Sequence, residues 1–492
     1  MTTQIAQTQE ETLRSFGRRN MIVYGLELNL RRSVPDIFDG CKPVQKRILY
    51  ALSQQEKKYV KAMRVVGDTL GRYHPHGDLS IFDALVTLVN SSAPAVKGSG
   101  NWGSLTDRAA APRYIECKLS HYGLSFFEPN YIHREVTDFV PNYDGSEVEP
   151  VTLPARLPNV LLQNVFGIGW GVTTELPAFT PESMIGVLRR LLSNEKLEPK
   201  DYAKSLKLAS GFHEMIMKTD ENKRGWLQLF TMPKGRLRFE SHLEVDRDRK
   251  TVRIAKWGPG VDEDFILGFV DKIRSMPECL TCVNSKGTTT YTIKCRSAFN
   301  YAQFDKFVEK IRVATRNTKS YKLNVTKRTA SIDDGKTNFK VEFLALSVPA
   351  MIQEWLKLRI ALETRSLEYQ IRKQEKAIKY SELLIYASDH VDDGAKALKS
   401  SDPKATLMKL MKLTEEDAQT LLNLRFVQWS KLDAAQISQT LKDQTTHLKL
   451  LNRWLKNPKA RLLLDLDEME QVLAQDAKVE ETKKKQKLVV VV

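Results

Sequence analysis

Three short segments of this chain concentrate side chains that can act on a phosphodiester. PDIFDGCKPVQKRIL spans 35–49, with Arg31 and Arg32 just before it, RVVGDTLGRYHPHGD spans 64–78, and GSGNWGSLTDRAAAPRYIE spans 98–116. Together they carry Arg31, Arg32, Lys42, Lys46, Arg47, Arg64, Arg72, His74, His76 and Arg113. Such a cluster on a helical scaffold is a phosphate-binding inventory, although any single lysine in it also suits a solvated face. Tyr114 follows Arg113 directly, after the small residues Ala109, Ala110, Ala111 and Pro112, which leave its hydroxyl room to be exposed. A tyrosine is a covalent nucleophile when its oxygen is activated. A phenol has a pKa of about 10, so at neutral pH it needs a base or a cation nearby. Arg113 or a histidine could steady charge on the attacking oxygen and on the pentacoordinate phosphorus. Most tyrosines simply pack, and a lone His-x-His also has a structural reading. From residue types alone, Tyr114 is a candidate.

The elements that must hold these residues are helical. Val44, Ile48, Ala51 and Leu52 recur at amphipathic spacing, and a second helix after Gly77, with Asp78 as its N-cap, buries Ile81, Leu85, Leu88 and Val89. Its other face carries Ser80, Asp83 and Thr87. Short helices with one polar exposed face suit a helix-turn-helix or winged-helix reader. Residues 98–104 predict a glycine-rich turn. Strands and helices mix from 130 to about 345, with a hairpin over 237–257 and strands at 288–298 and 337–346. Beyond Pro349 the pattern is helical. Trp355, Leu358, Leu362 and Tyr369 form a heptad-like seam in 351–384, and 433–455 is its expected antiparallel partner. A long arm carrying a dimer contact and a plain helical bundle both fit that pattern.

Composition narrows the field. Lys plus Arg number 76 against 60 Asp plus Glu in 492 residues, a net charge of +16. That surplus points to a polyanion, most often nucleic acid. No apolar run is long enough to span a membrane, and the first 20 residues lack a secretory h-region. Five sparse cysteines fit a reducing compartment, so the expected location is cytoplasmic. Cys279 and Cys282 form a lone C-x-x-C with no second pair to complete a zinc site.

The three segments closely resemble the breakage-reunion subunit of type IIA DNA topoisomerases, the A subunit of gyrase and topoisomerase IV. That family carries PDxRDGxKPVxRRIL, RxVGDVxGxYHPHGD and GxGNFGSxDGDxAAAxRYTE in this order. Downstream, GIGWGVTTELPAFTP (167–181), PKGRLRFES (233–241) and LTEEDAQTLLNLR (413–425) are similar to further family segments. The resemblance covers about residues 14–475. It implies an α+β multidomain architecture: an N-terminal arm (1–28), a winged-helix DNA-cleavage domain (29–130), an α/β tower (131–345), a long antiparallel coiled coil with a helical dimer gate (346–475) and a disordered tail (476–492).

The resemblance also implies roles. Tyr114 matches the nucleophile that forms a 5′-phosphotyrosyl bond, and Arg113 the arginine that supports it. Arg32, His74 and His76 match basic residues around the scissile phosphate. Lys42, Lys46 and Arg47 match DNA-backbone contacts, with Arg31 beside them. Ile168 matches an isoleucine that wedges between base pairs. The implied activity is an ATP-dependent type II topoisomerase, an isomerase that passes one duplex through a transient break in another, relaxing and decatenating DNA. Its partners would be double-stranded DNA, a second copy of the chain and a separate ATPase/Toprim subunit in an A2B2 assembly. Gyrase-type supercoiling, with a wrapping module on the partner, and a non-enzymatic DNA-architectural protein are the alternatives.

Several positions depart from the family pattern. Phe38 stands where arginine is usual, Trp102 replaces phenylalanine, and Pro112 precedes Arg113. At the drug-site positions Leu79 replaces a serine while Asp83 retains the acidic partner. Gly169 and Trp170 alter the surroundings of Ile168. The chain shows no E-G followed by D-x-D, since Asp465-Leu466-Asp467 lies in a helical stretch and Asp246-Arg247-Asp248 reads as a turn, and it has no Walker pattern. Mg2+ and ATP are therefore expected on the partner subunit, with no metal site here. The segment after about 460 reads as one amphipathic helix and a charged tail, without the family's DNA-wrapping propeller.

Overall fold

The computed structural model describes residues 12–284, 289–333, 336–423 and 434–489, with backbone only at 31, 330–339, 434–435 and 480–489. The chain divides into two compact units, Met1–Arg359 with Leu463–Val492, and Ile360–Leu462.

The first unit opens with α1 (Leu13–Leu28), whose N-cap Thr12 accepts from the Ser15 amide, and continues into a π-helical turn, Asn29–Ser33. Three mutually packed helices follow: α2 (Pro43–Ser53), α3 (Ala62–Arg72) and α4 (Asp78–Val89). Pro43 starts α2 where its missing N–H costs nothing, and Ile48, Ala51 and Leu52 are buried at the expected spacing. In α4, Ile81, Leu85 and Leu88 are buried and Ser80, Asp83 and Thr87 exposed, as their period requires. Val89 is only half-buried. The N-cap is Gly77, one residue before the expected Asp78, which instead sits in the first turn where a carboxylate complements the helix dipole. An antiparallel sheet closes these helices in the order β1 (Val60–Lys61), β3 (Glu116–Leu119), β2 (Val96–Ser99). After β3 come α5 (His121–Leu124) and the hairpin β4 (Phe139–Pro141)–β5 (Val148–Pro150).

Next, β6 (Phe166–Ile168) and β7 (Thr173–Glu175) form a hairpin in a sheet ordered β6-β7-β13-β8, with β8 at Lys234–Phe239 and β13 at Asn317–Lys322. Between β7 and β8 lie α6 (Pro181–Leu192), α7 (Pro199–Ser205) and α8 (Asp220–Thr231). A second sheet, β11-β12-β10-β9, is built from β9 (His242–Asp246), β10 (Thr251–Lys256), β11 (Cys279–Asn284) and β12 (Tyr291–Cys295). It shares one core with α9 (Glu263–Arg274) and α10 (Tyr301–Ala314), where Ile254, Ile293, Phe269 and Phe307 meet. The predicted hairpin over 237–257 is narrower: β9 and β10 pair across the Arg247–Lys250 turn, while Leu237 and Phe239 turn into the other sheet's core as part of β8. Cys279, Cys282 and Cys295 are free thiols buried in this core, so the C-x-x-C is packing. β14 (Asn324–Asp333) and β15 (Lys336–Ala345) form a long antiparallel pair.

The helix α11 (Val348–Asp389) begins in the first unit and continues into the second. Trp355, expected in an interhelical seam, belongs to the first unit, where it stacks on Phe38 at 6.4 Å and donates to its carbonyl. That stacking occupies the place where the family pattern has arginine. In the second unit Leu367 and Ile371 pack on Leu451 of the helix Ala434–Lys456. Ser381 and Gln374 hydrogen-bond Gln444, so ascent along α11 meets descent along its neighbour. α12 (Val391–Leu398), α13 (Pro403–Leu410) and α14 (Glu415–Leu422) share a core of Leu383, Ala387, Leu407, Met411 and Leu421. Of the 413–425 segment, 424–425 lie outside the described residues.

The last helix, Pro458–Val489, corrects the expectation of a disordered tail from 476. No Pro or Gly interrupts it after Pro458. Asp476 anchors it, accepting from the His121 and Tyr122 amides at 3.1 and 2.9 Å and from Lys97 at 2.6 Å. Residues 490–492 lie outside the described residues.

Candidate active site

Tyr114 sits on a turn whose two ends are pinned to the start of α3. The Met63 amide donates to Pro112 and the Ala62 amide to Ile115, at 3.1 and 3.0 Å. Between these anchors Arg113 and Tyr114 project outward, and the tyrosine is 66% exposed. The Arg113 guanidinium lies over the Tyr114 ring, 4.8 Å from its centroid. The preceding glycine-rich loop is held to α4 by Trp102, which is buried against Phe82, while Asn90 donates to its carbonyl at 2.9 Å. Trp102, which stands where the family pattern has phenylalanine, is thus a packed aromatic.

A second group forms where α3 ends. The rings of His74 and His76 stack at 4.3 Å and 17°. His74 is buried, and its Nδ1 lies 3.0 Å from an Arg47 Nη. Burial, then the charges of Arg47, His76 and Arg32, push His74 down to about 4. At neutral pH it is uncharged: Nδ1 accepts from Arg47, which leaves the proton on Nε2. His76 is exposed and is also pushed down, by desolvation and by Arg32 and Arg47. Arg32 is exposed on the π-helical turn. The Arg31 side chain lies outside the described residues.

The remaining basic candidates separate. Arg47 makes a bidentate pair with Glu149 at 2.6 and 2.7 Å, so both ends of its guanidinium are engaged. Lys46 is buried; it donates to the Val151 carbonyl and faces Asp36, Asp39 and Glu149. The expectation that Lys46 touches a DNA backbone is corrected: its neighbours are β5 and two buried carboxylates. Those carboxylates, Asp36 and Asp39, are raised by burial, Asp36 to about 6. Arg72 pairs with Glu147 at 2.9 and 3.0 Å. Lys42 reaches across to the Phe166 carbonyl at 2.7 Å. It joins α2 to the hairpin bearing Ile168, which is 67% exposed. Ser33 fixes the Ile168 carbonyl at 2.8 Å. Leu79 and Asp83 are both exposed on α4.

The structure therefore brings Arg32, Arg47, His74 and His76 together, and Lys42 with Ile168. No hydrogen bond, ion pair or ring contact among the described residues links them to Arg113 and Tyr114. Sequence reasoning missed Glu149 and Ser33, which orient Arg47 and Ile168. Glu149 lies some hundred positions from its partner, and neither residue stands in a motif that would have drawn attention.

The Asp465-x-Asp467 pair is spent on cations. Asp465 is buried between Arg156 and Arg359, at 2.8 and 3.0 Å. Asp467 pairs with Arg189 at 2.6 Å. Among the described residues no group of three His, Cys, Asp or Glu could hold a metal ion, and no helix is long and apolar enough to cross a membrane.

A projecting tyrosine beside an arginine, on a helical domain with stacked histidines, fits a protein that works on a phosphate backbone. Comparison with known proteins gives the class. Residues 32–470 match the family described as the A subunit of DNA gyrase/topoisomerase IV. The chain is 28% identical to the A subunit of DNA topoisomerase 4 from Neisseria gonorrhoeae, over 91% of its own length and 62% of that protein. It is 29% identical to the A subunit of DNA gyrase from Staphylococcus epidermidis, over 94% of its own length and 52% of that protein. The chain thus spans about half to three-fifths of the length of these relatives. It belongs to the family of gyrase and topoisomerase IV A subunits.

Proposed function

We propose that this chain is the DNA-cleaving and religating subunit of a type II topoisomerase, an isomerase, with Tyr114 as nucleophile. The observation that carries the reading is the Arg113–Tyr114 turn, exposed between two backbone anchors. The Tyr114 oxygen bonds to phosphorus as the bond from phosphorus to the 3′ oxygen breaks. The phenol gives up its proton and the leaving 3′ oxygen takes one up. The ester keeps the phosphodiester energy, so reversal reseals the strand without fuel. Arg113 stabilises the attacking oxygen, and Arg32 and His76 offer charge and hydrogen bonds to the phosphate. Neutral His74, oriented by Arg47, donates from Nε2. Lys42 supports the hairpin from which Ile168 wedges into a base step, bending the duplex.

Two copies cut opposite strands and pass a second duplex through the break, relaxing and decatenating DNA. The winged-helix reading rests on three helices closed by a small sheet, and the coiled-coil arm on the antiparallel helices of the second unit. Mg2+ and ATP are assigned to a separate subunit in an A2B2 assembly: the D-x-D pair Asp465 and Asp467 is held by arginines, and the sequence carries no Walker pattern.

The test is denaturant trapping of a protein–DNA adduct. The chain is mixed with plasmid, Mg2+ and the ATPase subunit encoded by the same genome. Wild type should yield the adduct, and Tyr114→Phe should bind DNA and yield none. An adduct with Tyr114→Phe removes the assignment.

A further inference from the structure

The hairpin that carries Ile168 reads Phe166-Gly167-Ile168-Gly169-Trp170-Gly171, an apolar residue and a glycine in strict alternation. Side chains of a strand alternate between its faces, so Phe166 and Ile168 share one face of β6 and Gly167 lies on the other. The glycine face is pressed flat on the preceding turn. A Cβ on Gly167 would lie 2.0 Å from the Ser33 carbonyl, and one on Gly169 would lie 2.0 Å from the Asn29 side-chain oxygen. Gly171 takes a φ of +69°, which closes the hairpin. The backbone is also bolted from below. Lys42 holds the carbonyl of Phe166, Ser33 that of Ile168, and the Asn29 amide binds both the N–H and the carbonyl of Trp170.

The opposite side carries large apolar groups into solvent. Phe166, Ile168 and Trp170 are 55%, 67% and 49% exposed. Trp170 has one face on α1, where a Cβ on Gly25 would meet its ring at 2.3 Å, and the rest is open. Exposing three such groups in a row is costly for a surface with no partner. The elements around them carry exposed or bridging cations: Arg32 on the turn beneath, Lys42 under Phe166 and Lys322 bonded to Thr173 on β7. An apolar ridge framed by cations complements a stack of bases between phosphates.

We propose that Phe166 and Trp170 flank Ile168 as a three-residue apolar comb for duplex DNA, stacking on the bases beside the step that Ile168 opens and so setting sequence preference. This rests on the DNA-cleavage reading above and goes beyond its single wedge. Phe166 and Ile168, alternate residues of β6, are spaced at about 6.6 Å, close to twice the ~3.4 Å between successive bases, and Trp170 follows in the bend after the strand. Aromatic rings stack on any exposed base face. Pyrimidine–purine steps unstack most easily, so the comb favours TA- and CA-containing sites over A-tracts.

The full chain is titrated with a duplex of roughly 30 bp, a length that such bending requires. The duplex carries a fluorescence-transfer pair at its ends and 2-aminopurine at a central TA step. Phe166→Ala, and Phe166→Ala with Trp170→Val, should bind this duplex roughly five- to a hundredfold more weakly, the range of lost stacking contacts. They should also give less 2-aminopurine brightening and bind an A-tract duplex about as well as the TA one. Wild-type affinity, brightening and preference in the double variant overturn the comb. Trp170→Val could loosen α1, so if the melting temperature falls, Phe166→Ala alone decides, since its side chain is more than half exposed. Leu280→Ala, an exposed apolar change on β11, should match wild type in every one of these readouts. A wild-type chain that binds no duplex sinks the comb and the DNA-cleavage reading together. A normal Tyr114 adduct with an indifferent double variant sinks only the comb. If the double variant changes self-association in sedimentation and leaves DNA binding intact, the ridge belongs to a second copy and the proposal is wrong.

Discussion

Two ionic groups in the first unit use the same residue types to opposite ends. Around Asp465, the arginines 156 and 359 are buried and their charges are met inside the protein, with Glu128 and Glu468 completing the shell of Arg156. Around His74 and His76, Arg32 stands exposed and both imidazoles are pushed toward their neutral forms. The first arrangement contributes to the fold and has nothing left to offer a ligand. The second leaves positive charge and donors in solvent, at a cost in self-repulsion that an arriving anion would relieve. A basic residue in a motif is therefore available for DNA only if no carboxylate of the chain has reached it first.

The largest effect expected from this contrast is on stability at the buried node. Asp465→Ala leaves Arg156 and Arg359 facing each other without their shared carboxylate, and removing one partner of a buried pair costs about 3–5 kcal/mol. Burial would raise the Asp465 carboxyl, but the two arginines hold it below the usual carboxylate range. Thermal unfolding should shift by many degrees. Tyr114→Phe, on an exposed turn, should leave the melting temperature unchanged. Equal shifts for the two variants would break the distinction.

The next effect depends on pH. His74 stays neutral in the fold down to about 4, whereas an unfolded chain protonates it near 6.5. As pH falls through that window the unfolded state gains a proton that the native state refuses, so stability is lost by roughly 3 kcal/mol at full shift. Asp36 acts in the opposite sense. Its pKa is raised from 3.8 to about 6, so its contribution is present at low pH and is lost as pH rises through about 6. The two slopes oppose each other between about pH 4 and 6. His74→Gln keeps an acceptor for Arg47 and should flatten the acid-side loss in a melting-temperature profile. Asp36→Asn should steepen it. Parallel profiles for the two variants would show that these groups do not carry the dependence.

The motif positions and the helices that bear them were legible in the sequence because type and spacing are local. Tyr114, Arg113, His74 and His76 stand in compact segments, and the period of α4 separates its buried and exposed faces. The fates of Lys46 and Arg47 were not legible. Both occupy α2 positions that read as phosphate contacts, and their partners, Val151 and Glu149, lie on and beside β5, more than a hundred residues on. Trp355 failed for the same reason: heptad spacing records residue type, not the distant group that buries it. The end of the chain reads as disordered by charge, yet Asp476 pins its helix to β2 and α5 through contacts that no local pattern encodes.

A smaller effect concerns salt. Arg32→Ala removes one exposed cation, so the slope of log K against log salt for duplex binding should fall by about one. Lys46→Met should leave that slope unchanged and lower stability instead, since it strips a buried cation from Asp36 and Asp39. A lower slope with Lys46→Met would mean that the lysine turns outward when DNA arrives.

The smallest stability effect is expected at Arg72 and Glu147, and it gives the finest test of the contrast. Each side chain is more than a third exposed, at 36% and 38%, and they pair at 2.9 Å on the surface near His74. Exposed pairs contribute about 0–1 kcal/mol, so a double-mutant cycle with Arg72→Ala and Glu147→Gln should find a coupling within that range. DNA binding should respond differently to the two changes. Glu147→Gln removes the internal competitor, which frees the Arg72 guanidinium for a phosphate, and the salt slope should rise by about one. Arg72→Ala should leave the slope close to wild type, because the pairing with Glu147 already withholds this arginine from DNA. If both variants lower the slope, Glu147 holds Arg72 in place for DNA instead of withholding it, and an exposed pair would then count with Arg32 rather than with the buried node.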